Sequence, residues 1–126
     1  MKPCRFEIAE EKIEQDALVE WMSYHPVIKD LFFKIHNEGK RTPRQGAKLK
    51  RQGLKAGVSD IFIPFPTKSH HGLWIELKRR KKYRCTNEQQ IWIDRMNELG
   101  YFATFAFGWE HAREIIEKYL SGKLIE

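Results

Sequence analysis

Two short runs rich in β-branched and aromatic residues, 58–63 and 73–78, each carry one carboxylate, Asp60 in the first and Glu76 in the second. An acid inside a strand-forming apolar run is costly to bury unless it is paired or binds a cation. Two such acids therefore constrain the fold around them. The connection 64–72 contains Pro64, Pro66 and a Ser69-His70-His71-Gly72 turn, which predicts a hairpin with a long loop. Side chains alternate along a strand, so Trp74, Glu76 and Lys78 share one face while Ile75 and Leu77 take the other. A register that sets Asp60 opposite Glu76 brings the two carboxylates together, with Lys78 beside them.

The remaining periodicities supply the elements around this hairpin. Residues 8–24 read as a helix, with Ile13, Ala17, Leu18, Trp21 and Met22 forming an apolar stripe that Pro26 ends. Residues 31–35 read as a short strand. Residues 37–57 are polar, basic and broken by glycines, with one short basic helix over 45–51. Thr86-Asn-Glu-Gln89 carries the helix-start signature in which a Thr hydroxyl and a Gln side chain cap each other's backbone. That helix runs to about Leu99, with Gly100 as its stop. A strand over 101–107 and a helix over 109–120 follow. The order predicts an α/β domain, a central mixed β-sheet flanked by helices on both faces.

Glu14 belongs with the two strand acids. At about 100° per residue it points along the middle of the first helix's apolar stripe, above Leu18 and Trp21. An acid there is paired, protonated or bound to a cation, or else it is an N-terminal-turn acid favoured by the helix dipole and still wet. Two or three carboxylates around one point, with a strand carbonyl nearby, form an oxygen-rich site for Mg²⁺ or Mn²⁺. A lysine held against such a metal can orient or deprotonate a water for attack on a phosphodiester.

The charge is distributed in a way that suits this chemistry. The chain has 23 Lys plus Arg against 17 Asp plus Glu, a net charge of +6. Lys40, Arg41, Arg44, Lys48, Lys50, Arg51 and Lys55 occupy one stretch without an acid, and Lys78, Arg79, Arg80, Lys81, Lys82 and Arg84 occupy another. All the acids fall outside these two stretches. Such segments suit a polyanion, because each cation that meets a phosphate releases condensed counterions. With 126 residues, 41% of them apolar, the chain has the size and the core of one domain. Two cysteines, Cys4 and Cys85, are too few for a disulfide scaffold, and no apolar run has the roughly 18 residues a membrane span needs. A cytoplasmic protein without a membrane partner is expected. His70 and His71 are expected to be turn residues rather than metal ligands, because neighbours in an extended chain project to opposite sides.

At these residues the sequence resembles the VRR-NUC family of the PD-(D/E)xK nuclease superfamily. The resemblance spans roughly residues 10–120 within a single domain, 1–126. It is carried by Ile35-His-Asn-Glu-Gly-Lys-Arg41, Leu54-Lys-Ala-Gly-Val-Ser-Asp-Ile61, Gly72-Leu-Trp-Ile-Glu-Leu-Lys78 and Thr86-Asn-Glu-Gln-Gln-Ile-Trp92. It implies a restriction-endonuclease-like core. It also implies that Asp60 and Glu76 hold the metal with the Leu77 main-chain carbonyl, that Lys78 is the catalytic lysine, and that Glu14 is a helix-borne acid of the site, acting through water. By the same resemblance Gln89 supports the centre from the following helix. The capping box accounts for Gln89 equally well, and its side chain is expected to serve one role at a time. Asn37, Lys40 and Arg41 are implied phosphate contacts beside the site. The family's usual Gly-Val-Pro-Asp is Gly57-Val-Ser-Asp60 here, which bears on the stiffness of that turn.

The resemblance to small stand-alone members implies a homodimeric, metal-dependent DNA endonuclease acting on branched DNA such as Holliday junctions. The residues leave other classes open: a non-catalytic nucleic-acid-binding module whose acids form structural salt bridges, or a nuclease acting on flaps or duplex without junction selectivity.

Overall fold

The computed structural model describes residues 5–35, 42–79 and 85–123, with side chains from residue 12 onward. Among the predicted site residues, Asn37, Lys40, Arg41, Arg80, Lys81 and Lys82 lie outside the described residues. The described chain forms helix α1 (Arg5–Tyr24), strand β1 (Phe33–Lys34), helix α2 (Pro43–Arg51), strands β2 (Ile61–Ile63) and β3 (Leu73–Lys78), helix α3 (Asn87–Glu98), strand β4 (Phe102–Phe107) and helix α4 (Trp109–Leu120). No helix among the described residues is long and apolar enough to cross a membrane.

The sheet order is β1-β2-β3-β4. The first two pairings are antiparallel, and β3 with β4 is parallel across the α3 crossover. The sheet is therefore mixed. Strand alternation sorts its side chains into two layers. Ile61, Ile63, Leu73 and Ile75 pack with Leu18 and Met22 of α1 and Ile116 and Tyr119 of α4. On the other face, Trp74, Ala103 and Phe105 pack with Ile93 and Met96 of α3. Glu76 pairs with Phe105 across the parallel ladder, so it lies on the α3 face, in line with Trp74.

Four sequence expectations are corrected. Ile13 is 65% exposed, whereas Leu18 and Met22 are fully buried. The inward row of α1 therefore runs through positions 14, 18 and 22, and Ile13 falls beside it. The strand expected over 31–35 contracts to two residues, because the Leu31 and Phe32 N–H groups both donate to the Ile28 carbonyl in a turn. The strand expected over 58–63 contracts to three, and the Asp60 side chain ends it, as described below. The basic helix starts at Pro43, two residues before the expected start. Thr42 caps it through its own reciprocal box with Gln45, and proline is favoured in the first turn.

Side chains occupy two of the outward-facing N–H groups of β4, those of Ala103 and Phe107. Asn97 accepts from the Ala103 N–H (2.9 Å) and donates to its carbonyl (3.0 Å). His111 Nδ1 accepts the Phe107 N–H at 2.9 Å. Groups so occupied cannot pair with a foreign strand.

Candidate active site

The ladder between β2 and β3 pairs Ile61 with Ile75, and continuing it by one residue sets Asp60 level with Glu76. The side chain of Asp60 takes over there: its Oδ2 accepts the Leu77 N–H at 2.9 Å. Its main-chain carbonyl accepts the Ile35 N–H at 2.7 Å. Asp60 thus clamps the end of both antiparallel pairings, which is why β2 stops at Ile61. A strand residue's N–H and C=O point to the same edge, so the Leu77 carbonyl faces the Asp60 side as well.

Asp60, Glu76, Leu77, Lys78 and Gln89 line one cavity of about 450 Å³. Its far wall is Gly46 and Lys50 of α2, with Leu54 and Lys55 from the loop that follows. Glu76 is 4% exposed. The two carboxylates therefore open into a concave space whose lining also includes Lys50, Lys55, Lys78 and Glu88.

Lys78 is held in place. Its Nζ donates to Gln89 Oε1 at 2.9 Å, and the same oxygen accepts the Thr86 N–H at 3.0 Å. Gln89 N–H in turn donates to Thr86 Oγ1 at 3.2 Å. This corrects the expectation that Gln89 serves one role at a time. A carbonyl oxygen has two lone pairs, and here one caps the helix while the other fixes the lysine.

Glu14 is placed elsewhere. It is half-buried, and its Oε2 accepts the Trp109 N–H at 2.6 Å. Helix α4 follows Gly108, which has no side chain to cap it, so Glu14 supplies the cap from α1, where a carboxylate also suits the helix dipole. It does not line the cavity. The link to the site runs through the backbone, because the Gly108 N–H donates to the Lys78 carbonyl at 2.7 Å.

Sequence reasoning missed the part played by Gly57. Its φ is +87°, and a Cβ there would stand 2.5 Å from the carbonyl carbon and oxygen of Glu88. The loop that delivers Asp60 thus packs backbone to backbone on the first turn of α3, and only glycine allows it. The signal was present in the sequence as a Gly three residues before the acid. Ser59, beside it, is fully buried, with its hydroxyl unbonded. Arg79 is half-buried after β3, and Arg44, Lys48 and Arg51 are exposed on α2. His70 is buried against Phe102 and Tyr119 while His71 is exposed beside Tyr101, so the two do project apart. Among the described residues, no three His, Cys, Asp or Glu side chains gather as a metal-holding group.

The geometry defines an α/β domain with two carboxylates and a tethered lysine at the end of a hairpin, the layout of a nuclease-type site. The family model of the VRR-NUC domain matches residues 9–108, and the chain belongs to that nuclease-type family. A solved VRR_NUC domain protein is similar to it, with 26% sequence identity and a TM-score of 0.77 over 88% of each chain. No curated protein matches the chain.

Proposed function

We propose that this chain is a divalent-metal-dependent DNA endonuclease that hydrolyses phosphodiester bonds in the cavity between α2 and the β2–β3 hairpin. The observation that carries the reading is the meeting of Asp60, Glu76 and a tethered Lys78 in one cavity, whose lining also includes Lys50, Lys55 and Glu88. The donor set fits Mg²⁺ or Mn²⁺. Two carboxylates and a strand carbonyl are hard oxygen ligands, and Mg²⁺ is held by one or two carboxylates with its other positions left to water and phosphate. Asp60, Glu76 and the Leu77 carbonyl would hold the ion, which when bound polarises the phosphoryl group and stabilises developing charge. Lys78, with one N–H fixed on Gln89, keeps its other donors for the attacking water. Lys50 and Lys55 hold phosphates from the opposite wall. Glu14 acts as a positioning residue, fixing the Gly108–Trp109 turn to which the Lys78 carbonyl is bonded.

The finer parts of the reading are carried by the resemblance to small stand-alone VRR-NUC proteins: a homodimer, cytoplasmic, acting on branched DNA such as Holliday junctions. A C₂ dimer presents two sites at fixed spacing, which matches the two symmetric nicks a four-way junction requires. The test is cleavage of a labelled four-way junction beside linear duplex of the same arms, with Mg²⁺, Mn²⁺ or EDTA, by wild type, Asp60→Ala and Lys78→Ala. The expected result is metal-dependent, paired nicking of the junction that both variants lose. Cutting that survives Asp60→Ala overturns the site, equal cutting of every substrate overturns the junction, and binding without cutting in any metal overturns the enzyme.

A further inference from the structure

Helix α2 buries no residue and has no acid in its first turn. It contributes little to the core, yet it is capped at both ends: by the Thr42–Gln45 box at the start, and at the end by Gln52, Gly53 and Leu54 N–H groups donating to the carbonyls of its last turn. Its cations fall on two sides. At about 100° per residue, Arg44, Lys48 and Arg51 occupy one arc of about 60°. Gly46 and Lys50, which line the catalytic cavity, sit roughly 130–170° around the helix from the centre of that arc. Arg44, Lys48 and Arg51 are exposed, and no described acid pairs with them. Arg44–Lys48 and Lys48–Arg51 are neighbours at i,i+4 and i,i+3, spacings at which like charges oppose the helix. Arg44 also stands at the end where the dipole disfavours a cation, whereas Lys48 and Arg51 lie in the last turn, where it favours one. A capped helix that buries nothing and strains against its own charge is explained by a polyanion that reverses the sign of that repulsion.

We infer that α2 is a two-faced DNA contact, its inner face serving the strand in the cavity and its outer ridge, Arg44, Lys48 and Arg51, gripping a second duplex segment that is not the one being cut. The inference rests on the proposed reading that the cavity face binds DNA, and it names a substrate class: two duplex segments held side by side by each protomer. Phosphates are the ligand, because three cations spaced along a ridge match a backbone of regular charge and read no sequence.

The test counts 12-bp duplexes bound per protomer in EDTA by titration calorimetry, a number independent of oligomeric state. The expected count is two for wild type and one for R44Q/K48Q/R51Q. It stays at two for K29Q/K68Q/K123Q, which removes equal charge from exposed positions elsewhere. The ridge variant should melt at or above the wild-type temperature, which shows that it folds. One duplex per wild-type protomer overturns the inference, as does a ridge variant that still binds two. Loss of the second duplex in the control variant overturns it as well, by reducing the effect to net charge. Failure of the wild type to cut any DNA overturns the nuclease reading and leaves this count standing on its own.

Discussion

One oxygen atom, Gln89 Oε1, joins the stability of α3 to the position of Lys78. Removing it should therefore affect both. Gln89→Ala strips the Thr86 N–H and the lysine of their acceptor and is expected to cost about 1 kcal/mol, together with a 10- to 100-fold fall in turnover. Thr86→Ala removes a cap bond of comparable worth but leaves the Lys78–Gln89 bond in place. It should lower the melting temperature similarly with a much smaller loss of turnover. Melting curves and single-turnover cleavage on the two variants separate the roles, and equal losses of turnover would show that Gln89 acts through the helix alone. Tyr119 gives a residue-scale prediction in pH. Its hydroxyl donates to the Phe65 carbonyl at 2.7 Å, and burial pushes its pKa up to about 12 from 10. The folded state holds that proton more tightly than the unfolded chain. The stabilisation is thus complete below pH 10 and is lost as pH rises from 10 through 12. In urea melts at pH 7, 9, 10.5 and 11.5, Tyr119→Phe should start about 1 kcal/mol lower and fall less steeply above pH 10; parallel curves would refute the assignment.

At the scale of the elements, the deciding contact is the approach of Gly57 to Glu88. Gly57→Ala places a methyl against a backbone carbonyl at a positive φ, so the loop must leave α3 and carry Asp60 with it. The expected cost is about 1–3 kcal/mol, with loss of the Asp60 clamp on the Leu77 N–H. Amide exchange reads that directly: Leu77 and Ile35 should exchange faster while the β3–β4 ladder stays protected. Unchanged exchange at Leu77 would show that the loop and the strand are independent. The elements legible in the sequence were those with local signals. The Thr86 box, Gly100 at φ +93°, the six residues of β3 and the bounds of α4 each follow from residues within a turn or a strand of one another. The ends of β1 and β2 were not legible, because partners distant in sequence decide them: the Ile28 carbonyl for one, the Asp60 carboxylate for the other. The same reason hides the Asn97 bonds to β4 and the capping of α4 by Glu14, which joins residues 95 positions apart. Spacing alone brought Asp60, Glu76 and Lys78 together, but it could not reveal that Glu14, inward on its helix, gives one carboxylate oxygen to the Trp109 N–H of α4.

For the molecule as a whole, the question is what balances the buried Glu76 and the clamped Asp60. A protein with an excess of cations can balance two inward carboxylates with its own lysines, as a salt-bridged binding module would, or with a divalent ion. The two arrangements respond oppositely to added metal. An ion that binds the folded state alone stabilises it by about 2.7 kcal/mol at a hundred times its dissociation constant. For a domain of this size that is a rise of several degrees. Mn²⁺ should therefore raise the melting temperature of the wild type in a concentration-dependent way. Asp60→Asn and Glu76→Gln should each abolish the rise, because each removes a charged oxygen ligand without changing volume. Glu14→Gln should keep it, because that side chain faces Trp109 and not the cavity. It should still slow cleavage by loosening the Lys78 backbone. If Glu14→Gln loses the metal response together with the other two, the first helix supplies a ligand and the site has three carboxylates. If wild type shows no response at any Mn²⁺ concentration, its lysines already balance the acids and the metal-dependent reading falls.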